Sequence, residues 1–166
     1  MNAQPAKTVA IDPPIEAFPD LLRLDLQLCF ALYRSGNLMS RLYRSLLEPL
    51  GLTYPQYLAM MALWETSPQT VGALGRRLSL DSGTLTPLFK RLEKVGYIAR
   101  RRDADDERRV LIDLTEAGRT LRERAAGIPL MMLRQLPLKP EEVVALKDLL
   151  TRLAAGIADP GAGPKA

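Results

Sequence analysis

The stretch from Thr70 to Leu114 constrains the fold more than any other part of the chain. Thr70-Val-Gly-Ala-Leu-Gly-Arg-Arg-Leu78 reads as a short helix with Thr70 as its N-cap. A three-residue turn, Ser79-Leu80-Asp81, leads into a second helix that runs to Val95 and is closed by Gly96 at its C′ position. Its apolar residues Leu85, Leu88, Leu92 and Val95 step by 3, 4 and 3 and are expected to face the core. Ser82, Thr84, Thr86, Lys90, Arg91 and Lys94 fall on the other faces, with the short hydrogen-bonding side chains at the N-terminal end. Helix, tight turn and second helix in this order form the arrangement that lays a recognition helix into the major groove of DNA. Pro87 removes one backbone bond near the start of the second helix and is expected to tilt or tighten its first turn.

Two β-prone runs follow, Tyr97-Ile-Ala-Arg-Arg-Arg102 and Arg108-Arg-Val-Leu-Ile-Asp-Leu114, joined by the acidic segment Asp103-Ala-Asp-Asp-Glu107. They read as a hairpin with arginines on both sides of its tip. A neighbouring carboxylate can hold such an arginine in one orientation through paired hydrogen bonds. An arginine at a hairpin tip is well placed to enter an adjacent minor groove. The chain carries 23 Lys+Arg against 19 Asp+Glu, and ten of the bases but only six of the acids lie between Arg76 and Arg109. The remaining 13 bases and 13 acids cancel, so the whole net charge of +4 sits in that window. A localised basic segment is the footprint of a nucleic-acid binder, because each neutralised phosphate releases counterions. A solvated surface with an arginine bias would give the same total. The helix-turn-helix followed by an Arg-rich hairpin favours winged-helix DNA binding.

At 166 residues the chain is long enough for one domain with a substantial core. It has no histidine and a single cysteine, Cys29. That excludes Ser-His-Asp chemistry, imidazole acid–base catalysis, an intrachain disulfide and a multi-thiolate metal site, so no metal or other cofactor is expected. Cysteine usage points to a reducing cytoplasm. No apolar run approaches the roughly 20 residues that span a bilayer and no basic-then-apolar leader opens the chain, so no membrane partner is expected.

Residues 1–18, with Pro5, Pro13 and Pro14, read as a flexible N-terminal arm, and residues 159–166 as a flexible tail. The expected fold is mainly α with a small β-hairpin. One domain covers 19–158: a winged helix-turn-helix at 53–114, with dimerisation helices at 19–52 and 115–158. A first helix is expected from Pro19 to about Tyr43, because Leu22, Leu26, Cys29 and Tyr33 step by 4, 3 and 4 beside the stripe Leu21, Leu24, Leu28 and Leu32. Gly36-Asn37 is the point where it can bend. Gly51 ends the next helical stretch, and Thr53-Tyr-Pro-Gln56 restarts one as a capping box with Pro55 in its first turn. The apolar run Tyr57 to Trp64 should be buried, Ser67-Pro68 stops it, and Thr115 caps a later helix.

Winged-helix proteins commonly pair up on half-sites one helical turn apart. The broad apolar face of the first helix, Leu130-Met-Met-Leu133, and the stretch Glu141 to Ile157 (Val144, Leu146, Leu149, Leu150, Leu153) are expected to interleave with a second copy of the chain. The alternative is that these helices pack on their own domain.

Cys29 and Tyr33 lie one helical turn apart on the same face. A lone cysteine in an apolar stripe is either a small core hydrophobe or a redox sensor. A sensor needs a stabilised thiolate, which phenolic O–H donors can supply where no histidine is available. Tyr43 is roughly 21 Å along an unbroken helix from Cys29 at 1.5 Å per residue. It meets the thiol only through a bend near Gly36 or from a partner chain.

Residues 21–157 resemble the MarR family of bacterial repressors, and Asp106-Glu-Arg108 with Leu114-Thr-Glu-Ala-Gly118 matches its wing and following helix. More narrowly, Gln27-Leu-Cys-Phe-Ala-Leu-Tyr33, Thr53-Tyr-Pro-Gln-Tyr57 and Leu80-Asp-Ser-Gly-Thr-Leu-Thr-Pro87 are similar to the organic-hydroperoxide-resistance branch. The resemblance implies a homodimeric repressor that is not an enzyme, binds double-stranded operator DNA when reduced and lets go when an organic hydroperoxide oxidises a cysteine. Carried onto matching positions, it makes Cys29 the peroxidatic cysteine, held across the dimer interface by Tyr33 and Tyr43. It places Ser82, Thr84, Thr86, Lys90 and Arg91 on the recognition helix, and Arg108, oriented by Asp106, at the wing tip. Some members carry a resolving cysteine after an Ile/Val-Pro step. Here Ile128-Pro129 is followed by Leu-Met-Met-Leu, so this is the one-cysteine pattern. Its sulfenic acid is expected to condense with a low-molecular-weight thiol or to oxidise further. Two other readings are a repressor released by a small phenolic ligand at the dimer interface, with Cys29 a bystander, and a thiol peroxidase. The absence of His and of a resolving Cys argues against the last.

Overall fold

The computed structural model describes residues 22–104 and 106–158. The expected arm (1–18) and tail (159–166) lie outside the described residues, as do 19–21 and Asp105. The chain divides into two compact units, one up to Ala125 and one from Ala126.

The first unit opens on a 3-10 turn, Leu24–Leu26, and helix α1, Leu28–Leu47. A second 3-10 turn, Glu48–Leu50, ends at Gly51 in the left-handed region, φ 66°. Helix α2, Tyr54–Glu65, starts on the expected capping box: the Thr53 N–H donates to Gln56 Oε1 at 2.8 Å, and Pro55 sits in the first turn. Strand β1, Gln69–Thr70, leads into α3, Val71–Leu78, whose first turn is capped by Thr70, with the Ala73 N–H donating to Thr70 Oγ1 at 3.1 Å. Helix α4 spans Ser82–Lys94. Strands β2, Ile98–Arg102, and β3, Val110–Leu114, form an antiparallel hairpin, and β3 also pairs with β1, giving the order β1-β3-β2. Thr115 caps α5, Glu116–Ala125, through the Gly118 N–H.

One core holds these elements. Tyr57, Met60 and Leu63 of α2, Leu74 of α3, Leu85, Leu88, Phe89 and Leu92 of α4, Ile98 and Ile112 of the hairpin and Leu121 of α5 are all buried. The helix-turn-helix closes tightly because Gly75 is buried where a Cβ would come within 2.9 Å of Leu85 Cδ1.

Three expectations are corrected. The first helix begins at Leu28, not Pro19, and runs past Tyr43 to Leu47. Leu22-Arg-Leu-Asp-Leu-Gln27 alternates apolar and polar residues at period two, which competes with the helical stripe, and Gln27 is extended (φ −82°, ψ 117°). Gly36 is not a break, since α1 passes through it unbroken. Val95 does not face the core; it caps the end of α4 half-exposed, and Phe89 takes the buried place.

The second unit contains α6, Ile128–Leu133, and α7, Pro140–Ala158. Ile128 and Met132 are buried, Leu130, Met131 and Leu133 are exposed, and no residue of α7 is buried.

Candidate DNA-binding surface and cysteine site

Helix α4 turns its buried residues one way and Ser82, Thr84, Thr86, Lys90 and Arg91 to solvent. Asp81 is its N-cap: Oδ1 accepts the Thr84 N–H at 2.8 Å and Oδ2 the Thr84 hydroxyl at 3.0 Å. Those two bonds hold the Asp81 carboxyl below its ordinary range. Thr86 Oγ1 donates to the Ser82 carbonyl at 2.8 Å. Both threonine hydroxyl protons are therefore spent within the helix, and what they turn outward is acceptor lone pairs, suited to the amino groups on base edges. Lys90 and Arg91 add exposed positive charge one turn on.

In the wing the Asp106 carboxylate links two arginines. Asp106 Oδ1 accepts both the backbone N–H and Nε of Arg108 at 3.1 Å, and Oδ2 pairs with Arg109 Nε at 3.1 Å. The Arg108 hydrogen bonds, then the Arg109 charge, hold the Asp106 carboxyl below its usual range. The Arg108 side chain is nonetheless 92% exposed, so it is aimed without being covered. At the base of the hairpin, Arg100 of β2 pairs with Glu93 of α4 at 2.6 Å and fixes wing to recognition helix.

Cys29 is exposed in the first turn of α1, and the side chain of the N-cap residue, Gln27, donates back to the Arg23 carbonyl at 3.3 Å. Tyr33, one turn on, is also exposed. Tyr43 is not brought to either of them within the chain. Its ring stacks on Tyr54 at 4.4 Å and lies 6.0 Å from Tyr57, which meets Trp64 edge-on at 6.1 Å. Burial, then the neighbouring Tyr54 and Tyr57, push the Tyr43 phenol up to about 12, so it is a neutral donor at ordinary pH. Tyr54 was missed by the sequence reading; its place in Thr53-Tyr-Pro-Gln-Tyr57 was the available signal.

Among the described residues no helix is long and apolar enough to cross a membrane. Residues 41–124 match the transcriptional regulator SarA/Rot family. The chain is 48% identical over 134 residues to the organic hydroperoxide resistance transcriptional regulator of Bacillus subtilis, covering 81% of this chain and 91% of that one. It is similar to reduced AbfR bound to DNA (TM-score 0.73, 36% identity, 84% of this chain and 96% of that one). It is also similar to overoxidised AbfR bound to DNA (TM-score 0.66, 37% identity, 81% and 95%), AbfR being a protein of Staphylococcus epidermidis. These relatives are regulators and not enzymes, and the fold is the winged helix-turn-helix they share. The chain belongs to the MarR family of transcriptional regulators, in its organic hydroperoxide resistance branch, with one cysteine.

Proposed function

We propose that the chain is a cytoplasmic, homodimeric repressor that releases operator DNA when an organic hydroperoxide oxidises Cys29. Residues 53–114 carry DNA contact, and 19–52 with 115–158 the dimer. Ser82, Thr84, Thr86, Lys90 and Arg91 approach the major groove, and Arg108, held by Asp106, the minor groove. The observation that carries the sensing half is the unbroken α1. With no bend at Gly36, a tyrosine-held Cys29 needs Tyr43 from a second copy, and Tyr54, stacked on Tyr43, comes with it. First-turn placement adds to this, because the unspent N–H groups of a helix start favour negative charge on sulfur or on its oxidised forms.

In the reaction the Cys29 thiolate attacks the terminal peroxide oxygen and takes it up as S–OH, the O–O bond breaks, and the departing alkoxide takes from solvent the proton that the thiol had released, leaving as the alcohol. A small thiol then attacks the sulfenic sulfur, water departs, and a mixed disulfide remains. A bulky adduct fits release better than charge alone, since AbfR has been solved overoxidised and still bound to DNA. A shift of a few kcal/mol between the two lobes suffices, each 1.4 kcal/mol being about tenfold in affinity.

The test uses an operator selected from a random duplex library. Reduced protein binds it, an alkyl hydroperoxide with a small thiol releases it, and mass spectrometry of the same sample finds the adduct on Cys29. Cys29→Ser binds and stays bound. Release of Cys29→Ser to the same extent as the parent sinks the sensor reading and leaves a ligand-responsive repressor in its place.

A further inference from the structure

Tyr97, the first residue after the turn that closes α4, bonds to three elements at once. Its backbone N–H donates to the Leu92 carbonyl at 3.1 Å, and the N–H of Gly96 beside it donates to the Glu93 carbonyl at 2.9 Å. Gly96 makes this possible in the left-handed region, at φ 81°. The two bonds fasten Tyr97 to the last turn of α4. Its carbonyl accepts the Thr115 N–H at 3.1 Å, at the start of α5. Its hydroxyl reaches back 47 residues and donates to the Leu50 carbonyl at 3.0 Å.

Leu50 closes the 3-10 turn that ends α1. The last carbonyls of a helix have no partner within it, and here two of them are met from outside. Leu50 is met by Tyr97, and Pro49 by Arg124 Nη2 of α5 at 2.8 Å. Leu47 and Leu50 are buried, and the Leu52 N–H closes back on the Leu47 carbonyl at 3.3 Å, so the turn follows the end of α1. A phenylalanine at position 97 would fill the same space. The hydroxyl adds a link of fixed length between the end of the helix that carries Cys29 and Tyr43 and the end of the helix that carries the DNA-facing side chains.

We infer that the Tyr97 hydroxyl couples sensor to reader, as a positioning residue that touches neither DNA nor Cys29. The inference deepens the sensor reading above and rests on it. On that reading the adduct on Cys29 of a second copy displaces Tyr43, which lies one turn before Leu47, and so presses on the last turns of α1. While the Tyr97 bond holds, a shift of that end carries the end of α4 and the root of the wing with it. Without the bond the turn yields and α4 stays. Core packing through α2 also joins the two helices, so loss of the tie weakens the coupling without abolishing it. The tie passes on no more free energy than it holds, and a hydrogen bond of this kind is worth about three- to tenfold in an equilibrium.

Tyr97→Phe keeps the ring and removes the link. Affinity for the selected operator is measured for reduced protein and for protein carrying the Cys29 mixed disulfide, and the ratio of the two is the readout. Urea unfolding of the reduced protein is the folding control. Reduced Tyr97→Phe should bind operator within about twofold of the parent, and its loss of affinity on adduct formation should be roughly three- to tenfold smaller than the parent's. Arg124→Met frees the same turn from α5 and not from α4. It should lower the urea midpoint as Tyr97→Phe does and keep the parental ratio. Equal shrinkage in both variants assigns the effect to a loosened turn and overturns the tie, as does a parental ratio in Tyr97→Phe. A parent that peroxide and thiol do not release defeats the sensor reading itself, and the tie falls with it. A second readout needs no variant. In the parent, amide NMR signals of residues 48–52 and 93–98 should shift together as the adduct forms; shifts confined to 48–52 overturn the coupling.

Discussion

Among the residues of the proposed sensor, Tyr43 has the most telling surroundings. Its hydroxyl belongs to a half-buried aromatic stack, and burial with the neighbouring tyrosines raises it from 10.0 to about 12. A group whose folded value is raised contributes stability that is complete below the unfolded value and disappears as pH climbs through the folded one. Unfolding free energy should therefore hold up to pH 10.0 and fall between there and about 12. Tyr43→Phe should flatten that fall, which urea unfolding across the alkaline range will read. An unchanged slope in the variant would place the titrating group elsewhere, Tyr54 and Tyr57 being raised in the same direction. As candidates, Cys29 and Tyr33 could be picked out from sequence by type and spacing, and Tyr43 by the family resemblance. Their surroundings could not. The aromatic stack joins Tyr43 to Tyr54 and Tyr57 through a helix-to-helix contact that no periodicity encodes.

Among elements, the junction between the hairpin and α5 has the least room. The Tyr97 carbonyl accepts the Thr115 N–H at 3.1 Å, Tyr97 donates its hydroxyl to the Leu50 carbonyl at 3.0 Å, and Trp64 Nε1 donates to the Gly118 carbonyl at 2.8 Å. A Cβ on Gly118 would lie 2.0 Å from the Tyr97 carbonyl oxygen, which is backbone and cannot swing aside. Gly118→Ala should thus cost about 1–3 kcal/mol, as overpacking does. Chemical denaturation measures it; a loss under a few tenths would mean that α5 shifts freely on the hairpin. Such junctions explain which elements the sequence reveals. Caps and turns are local, so Thr70, Thr115, Gly96 and the Thr53–Gln56 box are readable from a few residues. Strand β1 is two residues long and exists only because β3, some forty positions on, supplies its partners, Gln69 opposite Ile112 and Thr70 opposite Leu111. Val95 fails for a related reason: it fits the helical period but occupies the cap, where the chain has already turned away.

At the scale of the whole molecule, the apolar surface left over is the strongest argument for a second copy. Within the single chain α7 buries nothing, although Val144, Leu146, Leu149, Leu150, Leu153 and Ile157 recur along it, and α1 leaves Leu28, Leu32, Tyr33 and Leu38 exposed. Monomeric proteins rarely leave apolar helix faces of this kind in water. Covering it with a like chain also supplies what one winged helix lacks, a second recognition helix about 34–36 Å away to meet the next half-site. Linking two weak readers raises affinity by roughly 10²–10⁴ without any new contact to a base. Leu149, 58% exposed, offers a clean way to break the pairing, because a charge there touches no part of the described core. Leu149→Glu should sediment as a monomer where the parent sediments as a dimer, with unchanged helix content by circular dichroism. It should lose roughly hundredfold or more in operator affinity while retaining the weak, salt-sensitive binding of one lobe to scrambled duplex. If Cys29 acts as proposed, peroxide should then leave its residual binding untouched, because an adduct would have no partner tyrosine to displace. A parent that sediments as a monomer at the concentration where it binds operator would remove the dimer, and with it the cross-chain placement of Tyr43.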